Sequence, residues 1–159
     1  MIFININFWD KDLIELDITN NEPIFPIRTA AKLLKISVHT LRMYERENLI
    51  IPFKKETSHR LYSKADLTRI ECIRNAINQQ KISINGIKTI YSLIPCWDVI
   101  GCSIKDRNKC SAFNSHNLPC WSAVYKGTVC QNKDCRECEV YSKYSECENI
   151  KELIKSVSK

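Results

Sequence analysis

From residue 23 to residue 95, apolar side chains return every three or four positions in runs separated by short polar breaks. Ile27, Ala30, Ala31 and Leu34 mark one face of a helix. Lys35-Ile36-Ser37 breaks the run, and Ser37 supplies an N-cap for a second helix through residues 40–45. Val38, Leu41 and Tyr44 set the inner side of this helix, which leaves His39, Thr40 and Arg42 outward. Two short helices across a tight turn predict a helix-turn-helix, with an outer face suited to phosphates and base edges. Residues 49–53 and Arg60-Leu61-Tyr62 are β-prone runs flanking a polar, basic turn, which predicts a hairpin wing. Ser63-Lys64-Ala65-Asp66 reads as a capping box with Asp in the Glu position. Leu67, Ile70, Ile73 and Ile77 follow at helical spacing; Cys72 among them reads as a small apolar helix residue. Ser83 caps a last helix carrying Ile87, Ile90, Tyr91 and Ile94, and Pro95 ends it.

Beyond Pro95 the helical period gives way to a repeat. Pro95-Cys96-Trp97 returns as Pro119-Cys120-Trp121. Cys102 and Cys110 are eight residues apart, as are Cys130 and Cys138, and each pair ends in a small or branched residue and an aromatic. Six cysteines thus hold matching places in two imperfect copies of one unit, with Cys135 an addition to the second. Repeated cysteine implies ligation or cross-linking as the shared task. Ile150, Leu153, Ile154 and Val157 then predict a short amphipathic helix over residues 145–159.

Charge separates the same regions. Residues 1–22 carry five acids against one lysine, residues 23–95 thirteen Lys/Arg against five acids, and residues 96–159 ten against eight. The basic segment holds one cysteine, so basic charge and cysteine lie in different parts of the chain and suggest two jobs. No apolar run is long enough to span a bilayer. The start of the chain has neither a basic stretch nor a small-residue cleavage site. The expected location is therefore cytoplasmic, where nine cysteines argue for metal or redox chemistry over structural disulfides. Three glycines cannot form a phosphate-cradling loop, and Cys135-Arg136-Glu137-Cys138 lacks the βαβ surroundings of a thiol oxidoreductase, so no enzyme class is expected.

Thr40-Leu41-Arg42-Met43-Tyr44-Glu45, Leu49-Ile50 with Pro52, and Arg60-Leu61-Tyr62-Ser63 with Asp66-Leu67 resemble the DNA-binding domain of the MerR family over residues 24–94. Ile84-Asn85-Gly86-Ile87-Lys88 is most similar to the heat-shock repressor branch. The resemblance implies a winged helix-turn-helix that binds double-stranded promoter DNA as a homodimer, with RNA polymerase as a further partner. It matches the family's recognition-helix Arg and Tyr to Arg42 and Tyr44, and its wing Arg and Tyr to Arg60 and Tyr62. Two departures stand out. Lys35 occupies a turn position that often holds Gly or Asn, where a left-handed residue costs Lys more. Pro95 and the cysteines replace the usual long dimerisation helix. With the basic wing turn included, the candidate DNA-binding residues are His39, Thr40, Arg42, Tyr44, Lys54, His59, Arg60 and Tyr62.

Residues 95–142 resemble the two-CW cysteine-rich domain of bacterial regulators, a name that describes sequence and not ligand. Cys130, Cys135 and Cys138 read C-x4-C-x2-C, the core spacing of plant-type iron–sulfur ligation, and also fit part of a zinc site. The candidate metal ligands are Cys96, Cys102, Cys110, Cys120, Cys130, Cys135 and Cys138, for an iron–sulfur cluster ahead of zinc, with a thiol–disulfide switch as a further reading. Trp97 and Trp121 are placed to shield sulfur from water. The expected architecture is mainly α with a small β wing. It comprises an arm (1–22), a winged helix-turn-helix (23–94), a small metal-stabilised Cys-rich module (95–144) and a C-terminal helix (145–159). The expected function is a DNA-binding regulator that senses a redox or metal signal; its rival is a regulator whose Cys module is a structural zinc or partner-docking unit.

Overall fold

The computed structural model describes residues 19–54, 59–123, 126–143 and 155. Most of the acidic arm, the wing turn at 55–58, Cys147 and nearly all of the expected C-terminal helix lie outside that set. Among the described residues the fold is mainly helical with one small sheet. It runs β1 (Phe25–Pro26), α1 (Ile27–Leu33), α2 (Val38–Arg46), β2 (Phe53–Lys54), β3 (Arg60–Tyr62), α3 (Lys64–Asn78) and α4 (Ile84–Ser92). After Pro95 come α5 (Cys96–Ile100), α6 (Ile104–Lys109), a 3-10 turn (Cys120–Ser122) and α7 (Glu139–Lys143).

Local chemistry sets the helix starts. Ser37, Ser63 and Ser83 each accept a hydrogen bond from a backbone N–H in the first turn that follows. The capping box forms as expected: Ser63 Oγ accepts from Asp66 N at 3.1 Å, and Asp66 accepts from Ser63 N at 2.8 Å. Lys35 turns the chain between α1 and α2 with φ 53°, the left-handed conformation that its position demands. Pro95 ends one helix and starts another, since α4 stops at Ser92 and Pro95 caps α5. Gly101, at φ 70°, closes α5 in the left-handed region that glycine adopts without strain.

The sheet is antiparallel in the order β1-β3-β2, with Phe25 opposite Tyr62 and Phe53 opposite Leu61. The wing exists, but its first strand is shorter than the β-prone run predicts. Leu49 and Ile50 are buried outside the strand, because they are spent on the core. β1 has no counterpart in the sequence reading; two residues carry no periodic signal.

The helix faces pack as their spacing requires. Ala30, Leu34, Leu41, Leu49, Ile70, Ile73, Ile87 and Ile94 form one buried cluster. That cluster also takes in Trp121, Val140 and Tyr141 from the cysteine segment. Trp121 meets Tyr91 edge-on at 5.1 Å and Tyr141 at 5.3 Å. The basic and cysteine segments therefore share a core.

Candidate functional site: a helix-turn-helix face and a cysteine chamber

His39, Arg42 and Arg46 are exposed on α2, and Lys54 and His59 are exposed at the wing. Thr40 is half-buried, and its hydroxyl lies 2.9 Å from Ser37 Oγ. Tyr44 is 4% exposed and Tyr62 is fully buried, so both rings pack in the core beneath this face. The cause at the wing is Glu45, to which the sequence assigned no role. Its carboxylate accepts from Arg60 Nε at 2.5 Å and from the Tyr62 hydroxyl, and so ties the wing to α2. Burial, then the bond to Glu45, push the Tyr62 hydroxyl well above its ordinary pKa and keep it a donor. Arg60 stays partly exposed, with one edge committed to Glu45.

The seven cysteines of residues 95–144 come together. All of them line one chamber of about 40 Å³, closed on its apolar side by Ile100, Trp121, Val140 and Tyr141. All seven are half-buried thiols outside any disulfide. The repeat is visible in the geometry: Cys96 and Cys120, equivalent in the two copies, form a thiol–thiol hydrogen bond that raises Cys120 and lowers Cys96 in pKa. Burial pushes the Cys130 thiol up to about 11, reinforced by the neighbouring Cys102 and Cys138. Cys102 is also raised, by burial first and then by Cys96. Among the described residues no three Cys, His, Asp or Glu side chains converge where one ion could sit. The triplet of Cys130, Cys135 and Cys138 is thus gathered into the chamber without closing on a point. Of the two tryptophans, Trp121 lines the chamber, while Trp97 packs edge-on against Phe113 at 5.2 Å. His116 is exposed, with its carbonyl held by Ser92 Oγ. Cys72 is half-buried on α3 and disulfide-bonded, and it lies outside the chamber.

Residues 25–93 match the family model of the MerR HTH family regulatory protein. Residues 25–93 are a MerR-type helix-turn-helix domain. HspR of Streptomyces coelicolor, named as a candidate heat shock protein, is 30% identical over 77 residues, 48% of this chain and 51% of that protein. The HTH-type transcriptional regulator GlnR of Bacillus anthracis and that of Bacillus cereus are each 31% identical over 68 residues, 43% of this chain and 52% of theirs. The chain spans about half the length of these relatives. The family match stops before Cys96 and covers none of the chamber cysteines.

The cysteine segment grips the MerR-type domain at the link between α2 and β2. Trp121 Nε1 donates to the Asn48 carbonyl at 2.7 Å, and the Tyr141 hydroxyl accepts from Ile51 N at 2.7 Å. Arg136, between Cys135 and Cys138, donates to the Ile51 carbonyl and makes a two-pronged ion pair with Asp66 at 3.2 and 2.8 Å. The sequence reading gave none of these three residues a coupling role. The available signal was weak: an arginine inside a C-x2-C loop is as ordinary as any surface cation.

Proposed function

We propose that the protein is a transcription regulator that binds double-stranded DNA through α2 and the wing, and whose cysteine chamber holds an iron–sulfur cluster. The DNA half rests on the MerR-type domain and on the exposed His39, Arg42 and Arg46 along one helix. The sensing half is carried by one observation: seven thiols line a single chamber whose wall residues are hydrogen-bonded to the link between α2 and the wing.

The number of donors supports a cluster over a lone zinc: zinc takes four ligands, which leaves three of the seven thiols without a task, whereas a cluster can keep spare thiols beside it. The chamber, about 40 Å³, holds more than the roughly 10–15 Å³ that one water needs. Soft thiolates in an apolar, half-buried wall are the setting for a cluster. When bound, it would supply a redox-active charge held by thiolates.

The chain's own residues would carry the signal. Trp121 and Tyr141 form chamber wall on one side and hold Asn48 and Ile51 on the other. Arg136 rides between two chamber cysteines and holds both Ile51 and Asp66, whose carboxylate completes the capping box of α3. A shift in thiol spacing would thus move the segment that sets the angle between recognition helix and wing. A second copy of the chain would supply the other half-site contact.

The test is protein purified without oxygen. Broad visible absorption with iron and acid-labile sulfide, and a change in affinity for promoter DNA between loaded and stripped protein, support the reading. A colourless protein with stoichiometric zinc and unchanged DNA affinity would replace it with the structural rival.

A further inference from the structure

α3 carries one cation in the core. Arg69 is 1% exposed, less than most of the apolar residues around it. Its Nη2 donates to the Tyr141 carbonyl, but Nε and Nη1 have no hydrogen-bond partner among the described residues. No carboxylate forms an ion pair with it among the described residues. The nearby Asp66 is taken up by Arg136 and by its own cap. A buried cation in that state is costly, and chains seldom keep one without compensation.

Partial compensation comes from two rings. The guanidinium carbon lies 3.7 Å from the centroid of Tyr141 and 5.9 Å from that of Trp121. Those two rings also line the cysteine chamber. Arg69 therefore stacks on residues that wall the seven thiols. Both orphaned nitrogens are sealed from solvent, so a dissolved anion does not reach them directly. On one side Arg69 borders an open cavity of about 420 Å³ that it shares with Asp66, Asp134, Arg136 and Glu137. On the other, the wall of Tyr141 and Trp121 separates it from the chamber, and the field of a charge placed there crosses that low-dielectric wall.

We infer that Arg69 is the buried counter-cation of the chamber's occupant, which is therefore a net anion, as a metal centre held by four thiolates is. This rests on the proposal that the chamber binds a thiolate-ligated centre. It assigns Arg69 a positioning and tuning role, not that of a ligand. Unloaded protein carries the unpaired charge as a standing cost, and loading relieves it. The same cation favours the electron-rich state of a redox centre, so its removal lowers the reduction potential.

The experiment uses the full chain and the variants Arg69→Met, Arg69→Gln and Arg69→Lys. Stripped and loaded proteins are compared by thermal unfolding. Affinity for Zn²⁺ alone is measured by chelator competition. The potential is measured after reconstitution with ferrous iron and sulfide. Stripped Arg69→Met should be at least as stable as the parent, since an unpaired buried charge is gone. Its Zn²⁺ affinity should fall, because one favourable charge–charge interaction with the thiolate-held ion is gone. Its reconstituted potential should move negative. Arg69→Lys keeps the charge and should retain most of the affinity, and Arg69→Gln repeats the neutral case if the Met variant folds poorly. A purely packing role predicts a less stable stripped protein, with Met, Gln and Lys alike in metal affinity, and that result overturns the inference. A parent protein that loads normally, with neutral variants loading equally well, overturns it alone. A parent that takes up neither zinc nor iron overturns the chamber's proposed function along with it.

Discussion

Replacing Arg136 with Met removes the strut between the cysteine loop and α3 while keeping most of the side-chain stem. Arg136 and Asp66 are 14% and 4% exposed at the side chain, so solvent screens their pair little. Deleting one member of such a pair leaves the other charge buried, which typically costs about 3–5 kcal/mol. Asp66 keeps two donors of its own, Ser63 N at 2.8 Å and Ser63 Oγ at 3.0 Å. The Ile51 carbonyl loses a charged donor in the same change. Together these set an expected loss of about 2–4 kcal/mol. For a chain of this size that is a fall in Tm of roughly 5–15 °C. The assay is urea unfolding of the parent, Arg136→Met, Asp66→Asn and the double variant. A coupling energy of about 1–3 kcal/mol between the two positions is expected. Because the pair is largely buried, the loss should change little between low and moderate salt. A coupling below about 0.5 kcal/mol, the ordinary scatter of additivity, would show that the pair is an incidental contact and that Arg136 does not brace the cysteine loop on α3 through Asp66.

Arg42→Ala should weaken binding to the preferred DNA site by about 1–3 kcal/mol if Arg42 reads a base edge. A phosphate contact would instead weaken all sequences alike and reduce the salt slope by about one; unchanged binding to specific and random duplex removes α2 from the interface. Cys130→Ser, Cys135→Ser and Cys138→Ser should each lose most bound metal by elemental analysis, and at least one of Cys96, Cys102, Cys110 and Cys120 should behave the same way. Full metal content in all four of the latter variants would show that the two repeats do not share a centre. Lys81 holds φ 58°, so Lys81→Gly should raise unfolding free energy by about 0.5–1 kcal/mol; a loss on urea titration would mean that the lysine side chain outweighs its backbone strain.

What the sequence determined by itself is local. Ser37, Ser63 and Ser83 start their helices because a cap acts on N–H groups two or three residues away. The faces of α1, α2, α3 and α4 follow from apolar spacing within a few turns. The repeat of Pro-Cys-Trp marked the cysteines as a set, and all seven meet in one chamber. Tertiary structure decided what depends on partners distant in the chain. Tyr44 and Tyr62 have both a ring to bury and a hydroxyl to offer, and their sequence neighbours cannot say which will be satisfied first. Glu45, 17 residues from Tyr62, settled it for the wing. Arg69 lies one turn beyond Asp66 on a helix whose apolar stripe passes beside both. Only the arrival of Tyr141, 72 residues on, turned a plausible surface cation into a buried one. The coupling of chamber to wing spans 73 to 90 residues, through Trp121 to Asn48 and Tyr141 to Ile51. Hydrogen bonds of that range leave no periodic trace in a sequence, because they are fixed by how two apolar surfaces choose to pack and not by either surface alone.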